Sequence, residues 1–308
     1  MTQSMKHMLS ILLSTFILLS PFAGAASAQQ TSTAPSIGLA LGSGGAGGLA
    51  HISMLQVFDD LKLKPDQIVG TSIGAVIGVL YAAGLSAAEI EEIFDQFGGS
   101  NLDTLSRLAL SDNGLNLSDF FDVDIDNGGL IDSSAFLDFL AGKIKARTFE
   151  DLTIPMGVVA TDYWSGETIV LNKGNLFTAI KASIAVPGLF SPVAHDNHLL
   201  IDGGTSSPLP YNLLNDSHDL VIAIDVTGSR APADKTEVEL TKLFFKAFEI
   251  MQQSIISARM SHNKPDIYLK PDISNIRLLH FNRLKQILKQ AQPAADKLKQ
   301  ELLQFQEI

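Results

Sequence analysis

Two hydrophobic patterns alternate along the chain: short runs rich in Ile, Val and Leu, and longer stretches with apolar residues every three to four positions. The short runs predict strands at Ile37–Leu41, Gln67–Val69, Ile154–Thr161, Thr168–Leu171, His198–Ile201, Leu220–Val226 and Asp266–Leu269. The longer stretches predict helices at Ala46–Leu61, Ile73–Ala83, Ala87–Phe97, Ser133–Ile144, Asn175–Ile184, Glu237–Met260, Asn282–Gln290 and Ala294–Phe305, the last begun by Pro293. This alternation predicts an α/β fold: a single three-layer domain with a mainly parallel central sheet and helices on both faces.

The first residues have the pattern of a secretory signal peptide. Lys6 precedes the apolar stretch Met8–Leu19, and small residues at Ala26–Ala28 come before Gln29. We therefore expect residues 1–28 to be a signal peptide cleaved near Ala28, 29–36 a linker and 37–308 the folded domain. The protein would then be exported, to the periplasm or the medium; an uncleaved membrane anchor is the alternative.

Composition removes several classes of function. The 308-residue chain contains no cysteine, which excludes disulfides, thiolate metal sites and a cysteine nucleophile. Its net charge of −11 leaves no basic surface for nucleic acid, so a nucleic-acid partner is not expected. Any membrane contact would have to be apolar rather than electrostatic.

A candidate nucleophile lies in the sequence Gly70-Thr71-Ser72-Ile73-Gly74, between a short strand and an apolar helix. A serine at such a tight strand-to-helix turn presents its hydroxyl above the sheet, and glycines at Gly70 and Gly74 let the backbone pack closely. The helix N-terminus also favours developing negative charge. A helix-capping serine is the alternative interpretation of Ser72.

The glycine-rich loop Ser43–Gly48 follows the first strand in the same way. The amides of Gly44 and Gly45 carry no obstructing side chain and precede a helix, which suits an oxyanion hole. The spacing Gly42-x-Gly44-x-x-Gly47 also fits a dinucleotide-binding fingerprint. That fingerprint needs an acid at the end of a second strand, whereas Asp59 and Asp60 end a predicted helix.

Asp202 follows a predicted strand and precedes Gly203-Gly204, a turn that can present a carboxylate at the same edge of the sheet. It can act as a base if packing removes water from it and Ser72 lies within hydrogen-bond reach. A purely structural Asp-Gly-Gly turn is the alternative.

Other chemistry has weaker support in the sequence. A Ser-Asp-His order would allow His218, His262 or His280 as a third member, but no turn marks any of them as catalytic. No metal-ligand motif occurs, and the acidic stretch Asp119–Gly129 lacks the glutamate of an EF-hand. The long irregular stretch Ser100–Gly129 is either a lid or entrance, or surface decoration.

Three motifs in order, Ser43–Gly48, Gly70–Gly74 and Asp202–Gly204, resemble those of the patatin-like phospholipases. Further stretches resemble that family too: Thr161–Glu167, Ala182–Val193 and Phe281–Ala291. The resemblance implies Ser72 as nucleophile, Asp202 as base, the amides of Gly44 and Gly45 as oxyanion donors, and no metal or organic cofactor. The expected substrate is a lipid or other acyl ester, with a non-catalytic lipid-binding protein on the same fold as the alternative.

Two positions depart from the family pattern. The family usually carries Arg or Lys at the position of Gly47 and glycine at the position of Ser43. Loss of the cation removes an expected contact to phosphate or oxyanion, so cleavage of phospholipids in particular is a weaker expectation than cleavage of an acyl ester.

The stretch Val238–Met260 places Leu240, Phe244, Phe248, Met251 and Ile255 at helical spacing. Packing in the core is the default expectation for such a face, and insertion into a lipid interface is the alternative.

Overall fold

The computed structural model describes residues 35–100, 133–214, 217–228 and 240–306. The predicted signal peptide, nearly all of the Ser100–Gly129 stretch and the start of the Val238–Met260 stretch lie outside these residues. The described elements belong to one unit, which extends from Pro35 to Ile308.

In the described part of the chain, eight strands form one mixed sheet. They are β1 Ile37–Leu41, β2 Gln67–Thr71, β3 Met156–Asp162, β4 Thr168–Leu171, β5 Val193–His195, β6 His198–Asp202, β7 Leu220–Ile224 and β8 Ile267–Leu269. Their order is β5-β6-β3-β2-β1-β7-β8, with β4 also paired to β3. The strands β3, β2, β1, β7 and β8 are parallel, while β4 and β6 are antiparallel to β3. The predicted α/β fold is confirmed.

The described α-helices connect and cover these strands. They are α1 Ala50–Leu61, α2 Ile73–Ala82, α3 Ala87–Ser100, α4 Ser134–Ala141, α5 Leu176–Ser183, α6 Leu240–Met260 and α7 Leu284–Gln306. A 3-10 turn, Gly45–Leu49, precedes α1 where the sequence pattern predicted a helix from Ala46.

Successive strand residues point to opposite faces of the sheet. In β1, Leu39 and Leu41 belong to the large core cluster that includes residues of α1, α2 and α7. Ala40 faces the second cluster, in which Tyr211 and Ile256 of α6 are buried. Because strands buried on both faces read as continuous apolar runs, the sequence predicted them well.

The register of β3 with its two neighbours brings distant segments together. Thr71, the last residue of β2, pairs with Val159. On the other side of β3, Asp202 pairs with Ala160. Ser72 and Asp202 are therefore placed next to each other, on either side of one strand.

The C-terminal helix corrects a prediction. The sequence suggested two helices separated at Pro293, but α7 runs unbroken from Leu284 to Gln306 with Pro293 inside it. An interior proline costs about 3 kcal/mol through its lost N–H and its ring. One face of α7 is fully buried along its whole length, and this packing outweighs that cost: Ile287, Ala291, Ala295, Leu298 and Leu302.

The pattern also missed β5, which has only three residues, none of them buried. Such a short edge strand has too few positions to show an alternating pattern. Within the described residues, no helix combines the length and the apolar character needed to cross a membrane.

Candidate active site

Ser72 occupies a strained turn between β2 and α2. Its φ of 56° and ψ of −123° lie outside the backbone regions that residues other than glycine normally adopt. Two glycines make the turn possible: a Cβ on Gly70 would lie 2.5 Å from the Gly74 carbonyl oxygen, and one on Gly74 would collide with the Leu41 carbonyl. This is the geometry that exposes a serine above the carboxyl edge of a sheet.

A second serine fixes this turn. The Ser72 amide donates to Ser183 Oγ at 2.9 Å, and Ser183 Oγ donates to the Val159 carbonyl at 2.6 Å. Ser183 is fully buried at the end of α5. Sequence reasoning missed it, because it has no motif of its own and is recognisable only as part of the family-like stretch Ala182–Val193.

The Asp202 carboxylate contacts Ser72 directly. Ser72 Oγ donates to Asp202 Oδ2 at 2.6 Å, and the Gly204 amide donates to Oδ1, also at 2.6 Å. Asp202 is only 1% exposed, and this burial raises the pKa of Asp202 to about 7, against the lowering effect of the two hydrogen bonds. A carboxylate in this state can exchange a proton with a serine near neutral pH.

The glycine-rich loop has two free amides. The amides of Gly42, Ser43 and Ala46 donate to backbone carbonyls of other segments. Across the described residues, no acceptor is found for the amides of Gly44 and Gly45. These are the two donors that the sequence predicts for an oxyanion hole.

The same loop lies against the Ser72 turn. A Cβ on Gly48 would collide with the side chain of Ile73, and one on Gly74 would lie 2.7 Å from the Gly42 carbonyl oxygen. Gly45 has a φ of 54°, which favours glycine. A Cβ on Gly203 would collide with the Val159 backbone. Bare glycine is thus required where the three loops meet.

His51 supports the glycine loop. Its Nε2 lies 2.9 Å from the Gly42 carbonyl oxygen and must carry the proton, since a carbonyl only accepts. Complete burial lowers the pKa of His51 to about 4, so the ring is neutral at physiological pH. Its role here is to hold the loop.

The other candidate histidines are not bonded to the Ser–Asp pair. His218 Nδ1 contacts Ser217, His262 Nδ1 contacts Ser261 and His280 Nδ1 accepts from the Arg277 amide. A histidine-containing triad therefore has no support in the described part of the chain.

The alternatives of a dinucleotide or metal site gain no support either. Asp59, one of the acids considered for a dinucleotide, accepts from the Tyr81 hydroxyl and the Ala87 amide and so ties α1 to α2 and α3. In the described ranges no group of three or more metal-ligating side chains occurs.

The two departures from the family pattern have different surroundings. A Cβ on Gly47 would lie 3.4 Å from the Val226 carbonyl oxygen and 3.7 Å from Ile273, so a side chain can begin there. Ser43 is 1% exposed, and its hydroxyl has no hydrogen-bond partner.

The fold and the site together define an α/β protein with a patatin-like arrangement, in which a serine on a strand-to-helix elbow is bonded to an aspartate. The sequence profile of the family described as patatin-like phospholipase matches residues 39–214, and the chain belongs to this family.

Relatives agree with this assignment. An uncharacterized NTE family protein of Mycobacterium tuberculosis, Rv1063c, is 35% identical over 221 residues, which are 71% of this chain and 57% of the relative. Patatin-like phospholipase domain-containing protein 6 of Mus musculus is 31% identical over 205 residues, 66% of this chain and 14% of that protein. The match thus spans little more than half of the mycobacterial protein and a small part of the mouse one.

A structural comparison gives a more distant similarity. The crystal structure of VipD from Legionella pneumophila is 13% identical with a TM-score of 0.48, covering 87% of this chain and 67% of that chain.

Proposed function

We propose that this protein is a lipid acyl hydrolase that cleaves an acyl ester with Ser72 as nucleophile and Asp202 as base. The observation that carries the proposal is the 2.6 Å hydrogen bond from Ser72 Oγ to the buried Asp202 carboxylate. Membership of the patatin-like phospholipase family supports the lipid class of substrate.

The reaction would run through an acyl-enzyme. Ser72 Oγ attacks the acyl carbonyl carbon and passes its proton to Asp202 Oδ2, while the amides of Gly44 and Gly45 bind the resulting oxyanion. The ester C–O bond then breaks, and the leaving alcohol takes the proton from Asp202. Water next attacks the acyl carbon and gives a proton to Asp202, which returns it to Ser72 as the fatty acid leaves.

The head group of the substrate depends on the missing cation at Gly47. Without Arg or Lys in the loop, an anionic phosphate has one partner fewer than in the family pattern. We therefore propose that neutral acyl esters are cleaved at least as well as phospholipids, and that Gly47→Arg shifts the ratio toward phospholipids. Gly47 is buried, but the Cβ of such a variant would meet its neighbours at ordinary contact distances.

Turnover by site variants tests the proposal. Short-chain and long-chain acyl esters, phospholipids and lysophospholipids would be offered to wild type, Ser72→Ala and Asp202→Asn. We expect kcat to fall by about 10³-fold or more in both variants, as for loss of a nucleophile or its base. Ser254→Ala, a change at an exposed serine of α6, serves as the control. Full activity of Ser72→Ala would contradict the mechanism.

A non-catalytic lipid-binding protein is the second candidate, favoured by the loss of the family cation at Gly47. It predicts that wild type binds lipid with no turnover and that Ser72→Ala changes nothing. The paired Ser72 and Asp202 oppose it, because a binding protein has no need of a strained serine bonded to a buried base.

We also propose that the hydrolase makes peripheral contact with a lipid surface through α6. Large apolar side chains lie exposed along this helix: Leu243, Phe244, Ile250 and Met251. The neighbouring charges Lys246 and Glu249 pair with each other at 2.8 Å and so together add no net charge beside these apolar side chains. On an acidic chain, such a face suits an apolar or zwitterionic lipid surface rather than an anionic one.

We also propose that the protein is exported, because residues 1–28 have the pattern of a secretory signal peptide. N-terminal sequencing of the protein recovered from outside the cytoplasm would test it, with Gln29 as the expected first residue.

A further inference from the structure

Helix α6 packs against the turn Gly203–Thr205, which directly follows Asp202. Its residues Phe245 and Phe248 pack against Val186 and Leu189, which follow α5. One turn further along, Gln252 is only 5% exposed, although glutamine is a polar residue that usually lies at the surface. A buried amide on a helix that is otherwise apolar toward the site needs an explanation.

Gln252 lies next to the catalytic aspartate. A Cβ built on Gly204 would collide with Gln252 Nε2, would lie 2.8 Å from Asp202 Oδ1 and would lie 3.2 Å from Ser43 Oγ. Three polar atoms from three segments of the chain therefore surround one point beside Gly204. The nearest of the two Asp202 oxygens is Oδ1, which is the one that does not bind Ser72.

Neither side chain uses its hydrogen-bonding groups elsewhere. Ser43 Oγ is buried without a partner, which for a polar group costs about 1–3 kcal/mol. In the described part of the chain the Gln252 amide forms no hydrogen bond, and its atoms are not among the fully enclosed ones, so the amide keeps some access to solvent. Both groups can donate, and the nearby acceptor with spare capacity is the Asp202 carboxylate.

We propose that Ser43 and Gln252 are positioning residues, which donate to Asp202 Oδ1 directly or through one water molecule and so hold Oδ2 toward Ser72. The inference rests on the proposed function of Asp202 as base. It also gives a role to Ser43, where the family pattern has glycine, and it makes α6 part of the active site.

The expected consequence is electrostatic. Hydrogen bonds to the ionised form of a carboxylate favour that form, whereas burial disfavours it. Ser43 and Gln252 would therefore keep more of Asp202 ionised, and their loss would raise its pKa further.

Charged groups on the surrounding elements do not provide this effect. Those with defined partners are bound to one another or to the backbone: Asp162 with His198, Lys246 with Glu249, Asp225 with Lys270, and Arg259 with the Ser206 carbonyl. His51 is neutral. Apart from burial, the influences on the pKa of Asp202 are the hydrogen bonds from Ser72 and Gly204.

The test compares pH profiles of kcat/KM on a water-soluble monomeric ester for wild type, Gln252→Met and Ser43→Ala. We expect the acid limb of both variants to move upward by about 0.5–1 pH unit, which lowers kcat/KM about 3- to 10-fold at pH 6 and much less at pH 8. A loss that is equal at all pH values would overturn the proposal, since that is the signature of a merely structural role.

Gln253→Met is the matched control. Gln253 is the next residue of the same helix and is 6% exposed, but its amide donates to the carbonyls of Thr227 and Gly228. Its loss should lower thermal stability without moving the acid limb. The same shift in Gln253→Met as in Gln252→Met would count against a specific effect on Asp202.

A readout that does not need turnover separates this inference from the proposed function. The carboxyl ¹³C signal of Asp202, assigned by its absence in Asp202→Asn, can be titrated in wild type, Gln252→Met and Ser43→Ala. A higher titration midpoint of Asp202 in both variants supports the positioning role of Ser43 and Gln252, even in a protein that cleaves no ester. Unchanged midpoints refute it, even where Ser72→Ala abolishes activity.

Discussion

At the scale of single residues, the proposed role of Asp202 as base leads to a specific pH dependence. An aspartate in water is a weak base at neutral pH, but burial raises the pKa of Asp202 to about 7. The base must be ionised to accept the proton of Ser72, so the active fraction of free enzyme falls as the pH drops below this value. We expect kcat/KM on a soluble ester to fall about ten-fold per pH unit below pH 7.

A pH–rate profile between pH 5 and 9 measures this dependence. A plateau that extends down to pH 5 would mean that the buried carboxylate is not the base. Asp162→Asn is a suitable control at the end of the next strand, because it removes a carboxylate that is bonded to His198 and not to Ser72.

The same burial has a cost in stability. Between the unfolded pKa of about 4 and the folded value near 7, the native state binds a proton that the unfolded state has lost, so Asp202 destabilises the fold as pH rises through this window. Asp202→Asn should therefore raise Tm at pH 8, with a gain that shrinks toward pH 5. Asp162→Asn should do the opposite at pH 8, because hydrogen bonds from Ser165 and His198 lower the pKa of Asp162 to about 2.

Thermal unfolding of the two variants at pH 5 and pH 8 checks both signs. A lower Tm of Asp202→Asn at pH 8 would show that the carboxylate stabilises the fold and would contradict the conclusion that burial destabilises its ionised form.

At the scale of elements, the loops that meet at the site differ in whether a glycine can be replaced by a larger residue. Some of these glycines have no room for a Cβ atom, and others do. A Cβ on Gly74 would collide with the Leu41 carbonyl, and backbone cannot move aside as a flexible side chain can. Gly47, in the neighbouring loop, offers ordinary contact distances. We expect Gly74→Ala to cost about 3 kcal/mol of stability or more and to abolish activity, while Gly47→Ala changes either by little.

Denaturant unfolding and ester turnover of the two variants give the comparison. Equal stability of both would indicate that the elbow between β2 and α2 is looser than its contacts imply.

Element prediction from the sequence succeeded where one pattern determined the outcome. The buried strands β1, β2 and β7 are continuous apolar runs. Ser72 was indicated by flanking glycines together with its position between a predicted strand and a predicted helix. It failed at Pro293, where tertiary packing of α7 outweighed a local rule. It also misjudged α6, whose apolar positions divide between the two sides of the helix, with Phe248 half-buried and Met251 55% exposed.

At the scale of the whole molecule, the sequence indicated that Ser72 and Asp202 lie at one edge of the sheet, because carboxyl ends of neighbouring strands meet there. It could not give their contact across 130 residues, which depends on the register of β2 and β6 against β3. Ser183 and Gln252 have no motif of their own, although Ser183 lies within the family-like stretch Ala182–Val193. Their positions follow only from how α5 and α6 pack on the finished sheet.

The molecule also offers a direct reporter for the proposed lipid contact. Trp164 is the single tryptophan of the chain, is 78% exposed, and stacks edge-on against Tyr163 in the turn after β3, at the same sheet edge as Ser72. Exposed Trp and Tyr suit the boundary between lipid and water. With zwitterionic vesicles, we expect Trp164 emission to shift to shorter wavelength and to be quenched by brominated lipid chains.

Ser72→Ala protein should be used, so that vesicles are not consumed. Because the proposed contact is made by exposed apolar side chains of an acidic chain, the binding should survive high salt. Phe244→Ser with Met251→Ser should weaken it about ten-fold or more by removing two large apolar side chains. Ser254→Ala, at an exposed serine of the same helix, is the matched control and should bind as wild type does. Binding restricted to anionic vesicles and lost in salt would contradict an apolar contact, and unchanged binding of the double variant would place the lipid contact away from α6.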